Sequence, residues 1–174
     1  MHFPRPLSLF LLGIVALASA SILTGCSNPA PYRYTYVPGK TAVVHAGRAV
    51  APPEAPARVK AAIDAGNQIA GMPYRMGGGH GRLHDSAYDC SGASSYILRE
   101  AGLLDSTIPS TSFRKYGERG YGDWISVYAR KGHVFLVVAG LRFDTGYGTR
   151  AKGPQWTTAS RPADGCVVRH PDGF

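Results

Sequence analysis

One cysteine of this chain stands where a nucleophile could act. Cys90 lies in the sequence Asp-Cys-Ser-Gly at residues 89–92, where a polar, glycine-containing turn leads into a helical pattern over residues 93–102. A thiol in the first turn of a helix faces unpaired backbone N–H groups and the positive end of the helix dipole, which favour the thiolate. The alternative, a small buried core cysteine, stays open at this point.

A histidine and an aspartate mark the two ends of a predicted β-hairpin. His133 opens an apolar strand, a tight Ala-Gly-Leu turn follows at residues 139–141, and Asp144 closes the second strand. Residues roughly equidistant from the turn lie opposite each other, so an imidazole and a carboxylate can meet across the ladder. With Cys90 they would form the thiol counterpart of a catalytic triad. The histidine would take the thiol proton and later protonate the leaving amine, while the aspartate orients the ring.

Three motifs in this chain, in this order, resemble those of the NlpC/P60 cysteine peptidases, which cut the peptide stems of bacterial cell walls. They are Pro-Tyr-Arg-Met-Gly-Gly at residues 73–78, Asp-Cys-Ser-Gly at residues 89–92 and Gly-His-Val at residues 132–134. The resemblance covers residues 56–174. It implies an α+β fold of the papain-like NlpC/P60 type, with N-terminal helices packed on an antiparallel β-sheet and the nucleophile at a helix start.

The same resemblance implies a set of active-site residues and a reaction. The three catalytic residues, followed by the three that line the site or contact substrate, are Cys90, His133 and Asp144, and Tyr74, Asp89 and Ser91. The expected reaction is hydrolysis of an amide in a peptidoglycan stem peptide, such as the bond from γ-D-glutamate to a diamino acid. This chain departs from the family pattern at Asp144, where His, Asn or Gln is commoner, and at Ser110, where many members have Arg.

Two other functions fit the same residues. One is a different amide reaction on the same fold, either amidase or acyltransferase activity, which product analysis would separate from endopeptidase activity. The other is a catalytically silent lipoprotein that binds the cell wall. A Cys90 that does not react with thiol-directed reagents would favour the silent lipoprotein.

The N-terminus predicts export and lipid attachment. After a basic segment containing Arg5, residues 7–22 are apolar and lead to Leu-Thr-Gly-Cys at residues 23–26, which resembles the bacterial lipobox. Cleavage before Cys26 would leave a thiol and an amine to be acylated, and each buried acyl methylene adds about 0.8 kcal/mol of membrane affinity. An uncleaved membrane helix is the alternative, although the apolar run is short for a span. By resemblance to Gram-negative lipoproteins, Ser27 favours the outer membrane, facing the periplasm.

The chain divides into three predicted parts. They are a signal peptide over residues 1–25, a proline-punctuated tether over residues 26–56 and the catalytic domain over residues 57–174. Within the tether, residues 34–37 and 41–44 have the pattern of short strands that could pack on the domain. The tether would let a membrane-anchored domain reach its target.

The catalytic domain is predicted to begin with a helix over residues 57–70, which ends before a glycine. The strands expected after the nucleophile helix lie at residues 124–128, 133–138, 141–143 and 166–169. This order of elements indicates an α+β domain with an antiparallel sheet.

The remaining cysteines and two loop histidines have modest expected roles. With Cys26 lipidated, Cys90 and Cys166 remain, and a disulfide between them would block the nucleophile. Cys166 is expected instead to be a partly buried structural thiol. His80 and His84 are expected to be solvated loop residues rather than catalytic or metal-binding ones.

The net charge of the chain and the spacing of its possible metal ligands limit which partners and cofactors are expected. The formal net charge of +8 falls by one when Arg5 leaves with the signal peptide. A basic envelope protein fits anionic wall polymers or lipid head groups, although general solubility explains the charge equally well. An export signal and scattered basic residues argue against nucleic acid. No Cys/His cluster has zinc-like spacing, so neither a metal nor another cofactor is expected.

Overall fold

The computed structural model describes Met1, residues 28–146 and residues 153–174. In these ranges the elements are, in chain order, β1 (Val43–His45), β2 (Arg48–Val50), α1 (Ala57–Ile69), α2 (Cys90–Glu100), α3 (Ser110–Phe113), β3 (Glu118–Arg119), β4 (Ile125–Arg130), β5 (His133–Val138), β6 (Leu141–Asp144), β7 (Gln155–Thr157) and β8 (Val167–His170). Helices α1 and α2 pack on antiparallel strands, so the α+β class is confirmed. No helix in the described ranges is long and apolar enough to span a bilayer.

Among the described residues, the main sheet has six antiparallel strands in the order β3-β8-β4-β5-β6-β7. Side chains of β4 and β5 alternate between its two faces, as the period of a strand requires. Val127 and Leu136 belong to the larger core, which α1 and α2 also fill, whereas the paired Tyr128 and Phe135 belong to a second cluster. The strand predicted over 133–138 is therefore buried on both faces.

The other predicted strands need small corrections at their ends. The strand expected over 124–128 is β4 and runs to Arg130, and the strand expected over 166–169 is β8, one residue further along. The short strands β3 and β7 were not predicted. Each has two or three residues, too few for a recognisable alternation.

Residues 28–56 pack against the domain that follows them. Tyr32 is buried and forms a β-bridge with Arg161, in which two backbone hydrogen bonds of 2.8 and 3.0 Å join the residues. The hairpin of β1 and β2 is held against α1 because the Asn67 side-chain amide makes 2.8 Å hydrogen bonds to both the N–H and the C=O of Ala49. Of the two strands expected in this segment, residues 34–37 form none, and residues 41–44 overlap β1.

Candidate active site

The α2 helix begins at Cys90, as the sequence predicts. Asp89 has an extended backbone and its Oδ1 accepts a 2.7 Å hydrogen bond from the Gly92 N–H, which is the geometry of a helix N-cap. Gly92 must lack a side chain because a Cβ there would collide with the Gly78 carbonyl oxygen. The glycine-rich turn is thereby packed against the first turn of α2, and the free thiol of Cys90 is left partly exposed.

A two-residue turn brings His133 and Asp144 together. Ala139 and Gly140 both have positive φ values, of 45° and 73°, which is the pattern of a tight hairpin turn. Leu141 pairs with Val138 and already belongs to β6. The predicted three-residue turn is therefore one residue too long.

The hairpin register explains how the two side chains meet. Phe143 pairs with Leu136, and continuing the ladder by one pair sets Asp144 opposite Phe135. His133 lies two residues before Phe135, so its side chain is on the same face of the sheet as that of Asp144. The two residues are diagonal neighbours across the β5–β6 pair. The His133 Nε2 lies 2.9 Å from the Asp144 Oδ1. The predicted contact is present, but it is diagonal rather than directly across the ladder.

The Cys90 thiol lies close enough to His133 to affect the pKa of the ring. Because Asp144 occupies Nε2, the nitrogen left for the thiol is Nδ1. Burial is the largest single effect on the pKa of His133 and lowers it, but the hydrogen bonds and charges of Asp144 and Cys90 together outweigh burial and raise the pKa above its ordinary value of 6.5. A thiol, an imidazole and a carboxylate thus follow one another in the order that proton transfer requires.

The raised pKa of His133 has a consequence for stability. Since the charged ring is favoured in the folded protein, its contribution is fully present below 6.5 and is lost as pH rises through the raised folded-state pKa. We expect wild type to exceed His133→Gln in free energy of unfolding by more at about pH 5.5 than at about pH 8.5. Urea unfolding measures this difference, and a value independent of pH would contradict the interaction with Asp144.

Asp144 sits in a buried cluster of positive charge that sequence reasoning missed. Its Oδ2 lies 3.4 Å from the Arg161 Nη1 and 3.6 Å from the Arg142 Nε, while its Oδ1 accepts a 2.8 Å hydrogen bond from the Thr145 N–H. Arg142 is 1% exposed. The two guanidinium groups supply the opposite charge that a buried carboxylate needs.

Tyr32, in the segment before β1, covers this cluster. The Arg142 guanidinium lies 5.6 Å from the ring centroid of Tyr32 and donates a 3.1 Å hydrogen bond to the Ser160 carbonyl. The Tyr32 hydroxyl accepts a hydrogen bond from the Arg142 N–H and donates one to the Gly140 carbonyl. The sequence held one indication of this buried cluster, because Arg142 lies between two apolar residues of a predicted strand. Arg161, in a loop, gave no such signal.

The three predicted substrate-contacting residues surround the start of α2. Tyr74 lines a cavity together with His133, and its pKa is raised first by burial and then by the charges of Cys90 and Asp89. Asp89 and Ser91 are buried and hydrogen-bonded within the protein: the Asp89 Oδ2 accepts from the Gly77 N–H at 2.9 Å, and the Ser91 Oγ donates to the Asp89 Oδ1 at 3.0 Å. Their contact with substrate stays a prediction.

His80 and His84 are exposed loop residues, as expected, and each also makes a contact within the protein. The His80 Nε2 lies 3.0 Å from the Ser91 Oγ and 3.2 Å from the Asp89 Oδ1, so His80 supports the N-cap of α2. The His84 Nδ1 lies 3.4 Å from the Tyr96 hydroxyl. These contacts were not predicted because the path of the loop over residues 79–88 cannot be derived from local pattern.

A cavity of about 380 Å³ opens beside His133. Its lining residues are Tyr74, Arg130, Gly132, His133, Thr145, Gly146 and Arg161. The cavity offers room for a peptide next to the imidazole. Within the described ranges, no group of three or more His, Cys, Asp or Glu side chains is arranged to hold a metal ion.

Cys166 belongs to the second cluster rather than to this arrangement. It is a free, buried thiol packed with Tyr128 and Phe135, and burial raises its pKa. It is not joined to Cys90, so the Cys90 thiol is not taken up by a disulfide with Cys166. The proposed lipidation site, Cys26, lies outside the described residues.

Comparison with known proteins adds no assignment. No model of a protein family matches this chain, and no curated protein sequence matches it. What can be concluded about function depends on the arrangement of Cys90, His133 and Asp144 and on the motifs in the sequence.

Proposed function

We propose that this protein is a cysteine hydrolase of the cell envelope that cleaves amide bonds in peptidoglycan stem peptides. The observation that carries the proposal is the position of His133, whose Nε2 lies 2.9 Å from the Asp144 carboxylate and whose pKa the nearby Cys90 thiol helps to raise. Nucleophile, base and orienting group in such a relay are the parts that covalent amide hydrolysis needs. The motif resemblance supports a papain-like NlpC/P60 domain and a stem-peptide substrate.

The proposed mechanism has two halves. His133 takes the thiol proton through Nδ1, and the Cys90 sulfur attacks the amide carbonyl. The Cys90 N–H, in the first turn of α2, helps to stabilise the oxyanion. His133 then gives its proton to the leaving amine, which departs and leaves a thioester. A water molecule, deprotonated by His133, hydrolyses the thioester, and Cys90 recovers its proton.

Digestion of purified peptidoglycan tests the proposal. The full chain, purified in detergent, would be incubated with peptidoglycan, and the released fragments identified by mass spectrometry. We expect fragments shortened at an amide within the peptide stem, and none with Cys90→Ala. Cleavage between sugar and peptide would instead indicate an amidase, joined stems an acyltransferase, and no release a silent wall-binding protein.

A lipid anchor at Cys26 is part of the proposal. The apolar run that ends in Leu-Thr-Gly-Cys supports it, and Ser27 supports placement at the outer membrane facing the periplasm. Cys26→Ala is expected to lose metabolic labelling by a fatty-acid analogue and to keep its signal peptide, because the acceptor thiol is gone. Cys166→Ala is the matched control and should label like wild type. Undiminished labelling of Cys26→Ala would refute the lipobox interpretation.

A further inference from the structure

Arg130 stands at the edge of the cavity beside His133. It is the last residue of β4 and pairs with His133, the first residue of β5, in the strand register. Its side chain is exposed, and none of the described residues is a hydrogen-bond or ion-pair partner for it. The cavity wall next to the imidazole therefore carries a guanidinium that is available to a ligand.

The surrounding charges leave a positive excess. Arg130 and Arg161 both line the cavity beside His133, and none of the described residues that line it carries a carboxylate. Arg161 also pairs with the buried Asp144, and Asp164 lies with the two arginines at the adjoining depression. A wall of this kind attracts an anionic group on a substrate and repels a cationic one.

We propose that Arg130 binds a free carboxylate of the substrate, on a residue adjacent to the amide that is cut. This inference rests on the proposed hydrolase function and adds a substrate requirement to it. A guanidinium matches a carboxylate with two parallel N–H donors, whereas an amide in the same place offers one acceptor and no charge. Peptides in which that carboxylate is amidated would bind less well.

Alkylation of Cys90 tests the local charge without any substrate. Iodoacetate and iodoacetamide have the same leaving group and differ in carrying a carboxylate or an amide. The rate of each reaction in the full chain would be followed by the mass of the peptide containing Cys90, which separates it from Cys166. The variants are Arg130→Gln and, as control, Lys131→Gln, an exposed neighbour whose replacement removes the same charge.

Arg130→Gln is expected to lower the ratio of the iodoacetate rate to the iodoacetamide rate by about five-fold, the effect of one partly screened charge pair. Lys131→Gln is expected to change that ratio by less than about two-fold. An unchanged ratio in Arg130→Gln, or an equal fall in both variants, would overturn the assignment of Arg130 as the anion-binding group.

A substrate pair separates this inference from the proposed function. Wild type is expected to cleave a stem peptide with free carboxylates about five-fold faster, in kcat/KM, than the same peptide with those groups amidated, and Arg130→Gln is expected to lose that preference. Equal cleavage of both peptides by wild type would overturn carboxylate recognition. If neither peptide is cut but alkylation depends on Arg130, the hydrolase proposal fails and the anion site stands.

Discussion

Replacing Cys90 by alanine is expected to abolish release of stem-peptide fragments while the protein still folds. The sulfur forms the covalent intermediate in the proposed mechanism, and no neighbouring group of the relay can replace it. Loss of a catalytic nucleophile costs at least about ten-thousand-fold in rate. The fold should tolerate the change because Cys90 is partly exposed and alanine suits the first turn of a helix.

Cys166→Ala is the matched control for this prediction. It removes the same sulfur from a buried site in the second cluster, so a cost of about 1 kcal/mol in unfolding free energy is expected. Its rate of fragment release should stay near that of wild type. Fragment release and urea unfolding of both variants measure the contrast. If both variants lose activity and unfold alike, Cys90 has a structural role.

Changes at His133 and Asp144 are expected to have the next largest effects. His133→Ala removes the proton-transfer group, which is worth about a hundred- to ten-thousand-fold in rate. Asp144→Ala removes the acceptor of the ring N–H and also leaves Arg142 and Arg161 without their shared carboxylate. Part of its effect should therefore appear as lost stability, because unpaired buried charges are costly.

Asp144→Asn separates orientation of the ring from the charge of Asp144. The Thr145 N–H and the His133 ring both donate at the Oδ1 position, so the asparagine oxygen should occupy that position and its NH₂ should face the two guanidinium groups. Nε2 then keeps its proton, and Nδ1 can still take the thiol proton. We therefore expect Asp144→Asn to keep much of the activity and Asp144→Ala to lose clearly more, while Asp144→Asn loses stability because the two guanidinium groups no longer face a carboxylate.

Fragment release and nitrogen NMR of the His133 ring together measure this effect. The NMR signal reports which ring nitrogen carries the proton, a property that a purely structural role of Asp144 would not change. A large loss of activity in a folded Asp144→Asn, with the ring proton moved to Nδ1, would contradict this orientation of the amide. An unchanged rate in Asp144→Ala would leave a Cys90–His133 dyad.

The elements that carry the catalytic residues could be predicted because their signals are local. The start of α2 follows from the polar, glycine-containing turn that leads into the helical pattern after Cys90, and the hairpin follows from two short strands on either side of a tight turn at Ala139 and Gly140. Such patterns span a few residues and need no knowledge of the tertiary fold. They placed Cys90 at a helix start and His133 on the same face as Asp144.

What surrounds Asp144 could not be predicted because it depends on contacts distant in sequence. The hydrogen bond between the Tyr32 hydroxyl and the Arg142 N–H joins residues 110 apart. Arg142 can be buried only because the N-terminal segment covers that face of the sheet. This segment was interpreted as a tether with possible short strands, and its proline-rich composition gave no indication of the Tyr32–Arg161 bridge.

The same holds for His80, whose contacts depend on the path of its loop. Its imidazole reaches Asp89 and Ser91 because the loop folds back over the first turn of α2. A helix cap can be predicted from four adjacent residues, but a support nine residues away requires the loop conformation.

The most direct measurement for the central claim is a titration of activity against modification of Cys90. The protein would be treated with increasing iodoacetamide, and each sample divided between an assay of fragment release from peptidoglycan and mass analysis of the peptides containing Cys90 and Cys166. We predict that activity falls in proportion to the unmodified fraction of Cys90 and reaches zero when that fraction does, while Cys166 is still largely unmodified. Undiminished release of stem-peptide fragments from protein fully modified at Cys90 would contradict the account.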